Sequence, residues 1–105
     1  MLKKQYVKSR KVFKVTFEIP KAELPAGVKV DKVSLAGSFN GWDPEATPML
    51  RAKGGAFRAT LEFEPGQEHQ FRYLVNGDHW CNDWEADGYA PNDQGGENCI
   101  VTART

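Results

Sequence analysis

The sequence predicts an all-β domain that folds as a β-sandwich, and three observations support this prediction. Apolar residues alternate with polar ones over several short runs, which is the period of a strand with one buried face. Turn-forming pairs separate these runs, among them Asn40-Gly41, Pro65-Gly66 and Asn76-Gly77. No window shows the apolar period of about 3.6 residues that an amphipathic helix requires. Short strands divided by such turns are typical of an all-β sandwich.

The predicted strands follow one another along the chain. The first alternates its apolar side chains with Lys14, Thr16 and Glu18. A connector bracketed by two prolines follows, and Pro25 cuts short the best helical candidate, residues 21–24. The apolar side chains of the predicted strands are Phe13, Val15, Phe17 and Ile19; Val33 and Leu35 within the stretch 28–35; Phe57, Ala59, Leu61 and Phe63; Phe71, Tyr73 and Val75; and those of the final run 99–103.

Composition and charge restrict the classes of protein that fit. The chain has 105 residues, 40% of them hydrophobic and 27% charged, which suits a single packed domain over residues 1–105. Lys plus Arg and Asp plus Glu each number 14, so the net charge is zero and neither nucleic acid nor a membrane is an expected partner. The segment 1–12 is nevertheless rich in lysine and arginine. We interpret this segment as a basic leader before the first strand, with a contact arm as the alternative.

The location expected from the sequence is the cytoplasm. No apolar run is long enough for a signal peptide or a membrane span. The only two cysteines, Cys81 and Cys99, are expected as free thiols in that reducing compartment. A bridge between their strands is the alternative.

Catalytic chemistry has little support in the sequence. The two histidines have no partner at a recognisable spacing, and the motifs of zinc proteases, serine hydrolases and phosphate-binding loops are missing. One polar loop contains two pairs of carboxylates, Asp83 with Glu85 and Asp87 with Asp93. We interpret them as solvated surface residues rather than as the catalytic pair of a glycosidase. The sequence therefore predicts a protein that is not an enzyme and that uses no metal or other cofactor.

The tryptophans Trp42, Trp80 and Trp84 lie outside the alternating core positions. An indole covers the apolar C–H face of a sugar ring, while amide and guanidinium groups hydrogen-bond to the ring hydroxyls. This combination suits a carbohydrate site, although tryptophan also packs in the cores of small sandwiches. The planar polar side chains near the tryptophans are Arg72, Asn82, Asn92, Gln94 and Asn98.

A series of short motifs runs through the chain over about residues 30–103. It begins with VSLAGSFNGW at 33–42, continues with PMLR at 48–51, FRATL at 57–61, HQFRY at 69–73, VNG at 75–77 and Trp80, and ends with GGEN at 95–98. The ordered series resembles the family-48 carbohydrate-binding modules. These include the N-terminal domains of isoamylases and glycogen branching enzymes and the glycogen-binding domain of the AMP-activated kinase β subunit. The resemblance implies an immunoglobulin-like β-sandwich of the early-set type, and non-catalytic binding of α-1,4-linked glucans such as glycogen and starch.

The resemblance also implies which residues bind. The family motif uses two tryptophans, a basic residue and an asparagine, and the matching positions are Trp42, Arg72, Trp80 and Asn98. Arginine replaces the lysine of the kinase-type domains and adds a planar fork suited to paired hydroxyls. Other interpretations stay open: core packing for the tryptophans, a cross-strand glutamate partner for Arg72, and capping of the turn after Gly95-Gly96 for Asn98.

One loop departs from the kinase-type pattern. Kinase-type domains carry a leucine and a threonine there, and the leucine pierces the glucan, whereas this chain has PNDQGG at 91–96. The loop in this respect resembles the isoamylase and branching-enzyme branch. Trp84 is an additional aromatic residue that either compensates for the leucine, as a further carbohydrate-binding residue, or covers the edge of the core.

The length of one turn decides where Trp80 points. With a two-residue turn at Asn76-Gly77, Tyr73 pairs with Trp80 and the indole lies on the core face. With a three-residue loop that includes Asp78 as a bulge, Leu74 pairs with Trp80 and the indole lies on the outer face. We predict the bulged form, because the turn is one residue longer than in the kinase-type domains.

The sequence as a whole thus predicts a stand-alone module that binds α-glucan polysaccharide or oligosaccharide through a surface aromatic platform. A glycogen-metabolising enzyme acting in trans is a further candidate partner. The alternative is a protein-interaction or regulatory module of immunoglobulin-like fold whose sugar site is vestigial.

Overall fold

The computed structural model describes residues 1–27, 29–92 and 95–104, and within these ranges the regular structure is almost entirely β. The helical segments of the described ranges are single 3₁₀ turns at Lys21–Glu23, Ser38–Asn40 and Lys53–Gly55. The all-β prediction is therefore confirmed. The described strands are β1 (Leu2–Val7), β2 (Val12–Ile19), β3 (Val33–Gly37), β4 (Leu50–Arg51), β5 (Phe57–Phe63), β6 (Glu68–Val75), β7 (His79–Cys81), β8 (Gly88–Pro91) and β9 (Glu97–Thr102).

The strands form two antiparallel sheets that pack as a sandwich. The four-stranded sheet has the order β1-β2-β5-β4. The five-stranded sheet has the order β3-β6-β9-β8, and β7 also pairs with β6. This arrangement agrees with the predicted immunoglobulin-like fold. Strand β6 is central to the second sheet, so its outward-facing side chains are well placed to form a rigid surface.

The core is built from the alternating apolar residues. Phe17 of β2 and Phe71 of β6 meet edge to face with ring centroids 5.0 Å apart, and this contact joins the two sheets. Leu35, Tyr73 and Val15 are fully buried around it. Burial of these side chains supplies most of the stabilisation of the sandwich.

Three strands, β1, β4 and β8, were not predicted from the sequence. Residues 1–12, expected to be a basic leader, contain β1, which pairs with β2 from Leu2↔Phe17 to Val7↔Val12. Lysines in β1 hide the apolar pattern by which a strand is predicted. An edge strand tolerates them because part of it faces solvent. Strand β4 has only two residues and so shows no period. Strand β8 contains glycine and proline, which are rare inside strands but tolerated at a sheet edge.

Strand β3 begins later than the apolar stretch at 28–35 predicts. In the stretch 28–35, the strand begins only at Val33, and Val28 lies outside the described residues. The helical candidate at 21–24 is a single 3₁₀ turn, as expected from Pro25. No helix in the described part of the chain has the length and hydropathy needed to cross a membrane.

Candidate functional site

An open cavity of about 660 Å³ is lined by all four residues inferred from the family motif. Trp42 comes from the turn after β3, Arg72 from β6, Trp80 from β7 and Asn98 from β9. The fold therefore brings together residues that are far apart in the sequence. The remaining lining residues are Ser38, Glu68, His69, Gln70 and Asn92.

Trp42 is positioned by the tight turn that follows β3. Its backbone N–H donates to the carbonyl oxygen of Gly37 at 2.9 Å, which closes the turn. Gly41 and Trp42 both have left-handed backbone conformations, with φ of 68° and 61°. This conformation is rare for a bulky residue and is found where the surrounding structure imposes it. The Trp42 side chain is 36% exposed and so is not a core residue.

Asn40 fixes the same turn through its side chain. Its Nδ2 donates to the carbonyl oxygen of Leu35 at 2.9 Å and to Oγ1 of Thr47 at 3.0 Å, while its Oδ1 accepts from the N–H of Gly37 at 3.1 Å. A β-carbon on Gly37 would lie 2.6 Å from the carbonyl oxygen of Gln70. Glycine is therefore required where β3 approaches β6 next to the cavity.

The β6–β7 hairpin determines the position of Trp80. Val75 pairs with His79 and Leu74 with Trp80, so the loop consists of residues 76–78. The predicted three-residue loop is confirmed, and Trp80 is on the outer face with 42% of its surface exposed. Core packing, the other interpretation of the two motif tryptophans, does not fit their exposure.

Arg72 is half-buried beside Trp80 on this face. Its guanidinium carbon lies 5.9 Å from the centroid of the Trp80 ring, within the range of a cation–π contact. Its Nε donates to Oδ1 of Asn82 at 2.7 Å. The partner seen in the structure is thus an amide and an indole rather than the cross-strand glutamate that the sequence left open.

Asn98 is held in a chain of amides. Its Nδ2 donates to Oε1 of Gln70 at 3.1 Å, and its Oδ1 accepts from Nδ2 of Asn92 at 3.2 Å. The Oδ1 of Asn92 also accepts from the N–H of Gly96 at 3.0 Å. The neighbouring loop residues Asp93 and Gln94, which the sequence analysis singled out, lie outside the described residues.

Sequence reasoning missed two features of the cavity. Gln70 lies on the same face of β6 as Arg72, and their spacing of two residues was the signal that could have identified it. His69 shares a hydrogen bond of 3.0 Å with Oγ of Ser38. This bond depends on the approach of the turn to β6, which is not visible in either local sequence.

Trp84 does not line the main cavity. It is 72% exposed and borders a second, smaller depression beside Trp80. Its exposure contradicts the interpretation that it covers the edge of the core.

The prediction that the loop carboxylates are solvated is wrong for Asp83, which is only 2% exposed. Its carboxylate accepts from the hydroxyl of Tyr73 at 2.7 Å and from the N–H of Glu85 at 2.8 Å, and the amino group of Met1 also contacts it. Its carbonyl oxygen accepts from the hydroxyl of Tyr89 at 2.7 Å. Asp83 therefore anchors the loop that carries Trp84.

Both cysteines are free thiols, Cys81 half-buried and Cys99 buried. Burial raises the pKa of the Cys99 thiol from its ordinary value of 9.0 to about 11 and also raises the pKa of Cys81. Within the described residues, no group of His, Cys, Asp and Glu side chains is arranged to hold a metal ion.

A family model described as the glycogen recognition site of AMP-activated protein kinase matches residues 26–104, well over half of the chain. The chain belongs to this family. The glycogen recognition family is a family of carbohydrate-binding modules, which bind polysaccharide rather than react with it. The loop at 91–96 had favoured the isoamylase and branching-enzyme branch, whereas the matching model is named for the kinase. None of the curated proteins compared with the chain matches it.

Proposed function

We propose that this glycogen recognition module binds glycogen-like α-1,4-glucan in the open cavity between Trp42 and Trp80. The two indoles stack on the apolar faces of glucose residues, and Arg72 and Asn98 orient the chain through its hydroxyls. The observation that carries the proposal is that these four residues, which belong to separate segments, line the same cavity.

The polar side chains are suited to hydroxyl groups. The Nε bond to Asn82 uses only one of the five guanidinium N–H donors of Arg72. Hydrogen bonds to Gln70 and Asn92 hold the Asn98 amide in place before a ligand binds. Binding therefore loses little side-chain conformational entropy at Asn98. Among the described residues that line the cavity, Arg72 supplies one guanidinium and Glu68 one carboxylate, and this balance suits a neutral ligand.

The expected affinity is weak. Two stacked rings and a few hydrogen bonds in an open cavity must offset the lost hydration and freedom of the sugar. We expect a dissociation constant on the order of 0.1–1 mM for a short glucan. Multiple attachment points on a large polysaccharide would raise the apparent affinity.

Retardation in native gels cast with glycogen tests the proposal. The wild type should be retarded, and the double variant Trp42→Ala/Trp80→Ala should migrate as it does without glycogen. Leu50→Ala is the matched control, because Leu50 is 76% exposed and lines neither the main cavity nor the depression beside Trp80. Equal retardation of wild type and double variant, both folded by circular dichroism, would contradict the assigned site.

Absence of retardation for every protein would instead favour the protein-interaction alternative. A cytoplasmic location and a glycogen-metabolising enzyme as partner in trans stay predictions at this point.

A further inference from the structure

A second depression of about 350 Å³ adjoins the main cavity. Arg72 and Trp80 line both of them, so the two form one continuous surface that passes Trp80. The residues that line only the second depression are Glu23, Pro25, His79, Cys81, Asn82 and Trp84.

Trp84 is a large apolar side chain held in an exposed position. It is 72% exposed, yet the residues on both sides of it make hydrogen bonds that hold the turn. Asp83 before it is buried, and the N–H of Asp83 donates to Sγ of Cys99 at 3.1 Å. Glu85 after it donates its N–H to the carboxylate of Asp83 at 2.8 Å. Trp84 therefore lies at the tip of an anchored turn, and this anchoring lowers the entropic cost of using it as a stacking platform.

The polar groups of the second depression resemble those of the first in chemistry. Asn82 connects the two regions, because its Oδ1 accepts from Arg72 while its Nδ2 donates to the carbonyl oxygen of Glu97 at 3.0 Å. Glu23 supplies a carboxylate that accepts hydrogen bonds from hydroxyls, and His79 supplies an imidazole. An exposed indole with planar polar neighbours again suits a sugar ring.

We infer that the second depression is a further subsite for the same glucan chain, with Trp84 as its platform. A chain bound at Trp42 and Trp80 continues past Arg72 and Asn82 and stacks on Trp84. The inference rests on the proposed function. It adds that the module prefers long α-glucan chains, because a short oligosaccharide fills the main cavity alone.

Calorimetric titration with maltotriose and maltoheptaose tests this inference. In Trp84→Ala, affinity for maltoheptaose should fall about three- to tenfold, the loss expected for one stacked ring. Affinity for maltotriose should be unchanged. Leu50→Ala removes an equally exposed apolar side chain elsewhere and should change neither affinity.

The outcomes separate the two proposals. If wild type binds both sugars and Trp84→Ala binds them equally well, the second subsite is refuted while the main site stands. If Trp84→Ala weakens both sugars by the same factor, Trp84 belongs to the main site and the separate subsite is also refuted. If the wild type binds neither sugar, the proposed function fails and the inference fails with it.

Discussion

Individual residues of the candidate site differ in how far the sequence could reveal them. Trp42 and Trp80 could be identified because each follows a recognisable turn motif. The burial of Asp83 could not be predicted, because the carboxylate lies in a polar loop and its partner Tyr73 comes from the centre of another strand. Contacts of this kind depend on the packed fold rather than on local pattern.

Replacing Asp83 should destabilise the protein strongly. In Asp83→Ala the buried hydroxyl of Tyr73 loses its acceptor at 2.7 Å and keeps only the carbonyl oxygen of Glu18 at 3.4 Å. The loop carrying Trp84 loses the part of its anchor that the carboxylate supplies. We expect the free energy of unfolding to fall by about 2–4 kcal/mol. Urea denaturation measures this, with Glu85→Ala as control, since the exposed Glu85 should change stability by no more than about 0.5 kcal/mol. Equal stabilities of the two variants would argue against the anchoring role.

Burial of Cys99 should make stability fall at alkaline pH. The folded thiol has a pKa of about 11 against an ordinary 9.0, so the neutral form is favoured by folding. This contribution is complete below pH 9 and is lost as pH rises towards 11, with a total of roughly 3 kcal/mol. Burial raises the pKa of Tyr73 as well, which acts in the same direction above pH 10.

Urea unfolding of wild type and Cys99→Ala across pH 8 to 11 measures the thiol contribution. The variant should lose less stability than wild type over this interval. Parallel curves for the two proteins would show that Cys99 does not contribute to the pH dependence.

At the scale of elements, the β6–β7 hairpin was predictable, whereas the edge strands β1 and β8 were not. The length of the β6–β7 turn relative to related domains indicated the bulge, and the bulge determined the face of Trp80. In β1, Lys4 stands between Leu2 and Tyr6 on the face that pairs with the buried side of β2, and this interrupts the apolar alternation. Pairing with β2 alone supplies the strand hydrogen bonds. Composition alone therefore favoured a leader.

Asn76 should be the most sensitive residue of the β6–β7 turn. It has a left-handed backbone with φ of 54°, and its side chain bonds to the N–H of Asp31 at 2.8 Å and the carbonyl oxygen of Lys29 at 2.9 Å. We expect Asn76→Ala to lower the unfolding free energy by about 2–3 kcal/mol. Asn76→Gly keeps the backbone conformation and should lose less.

Thermal and urea unfolding of both Asn76 variants distinguish backbone strain from side-chain bonding. If the glycine variant is more stable than the alanine variant, the left-handed backbone at this position is strained for residues other than glycine. The opposite order would contradict it.

For the whole molecule, the sandwich presents a site without strong net charge. The chain has a net charge of zero, and the main cavity contains both Arg72 and Glu68. A neutral glucan bound by stacking and hydrogen bonds releases no counterions, so binding should be nearly independent of salt. The motif series predicted the residues of the candidate site, whereas the proposed continuation to Trp84 depends on the loop conformation.

Co-sedimentation with glycogen at about 50 mM and about 500 mM NaCl tests this electrostatic account. The bound fraction should be the same within about a factor of two. A tenfold loss at high salt would indicate that charge, rather than stacking, dominates the interaction.

The most direct test of the central claim is a nuclear magnetic resonance titration of the indole N–H signals with maltoheptaose. The protein has three tryptophans, so three signals can be assigned by single Trp→Phe variants. We predict that the signals of Trp42 and Trp80 move together and saturate with a dissociation constant on the order of 0.1–1 mM. If both signals stay in place at about 10 mM sugar while the spectrum is that of a folded protein, the cavity between these tryptophans is not a glucan site.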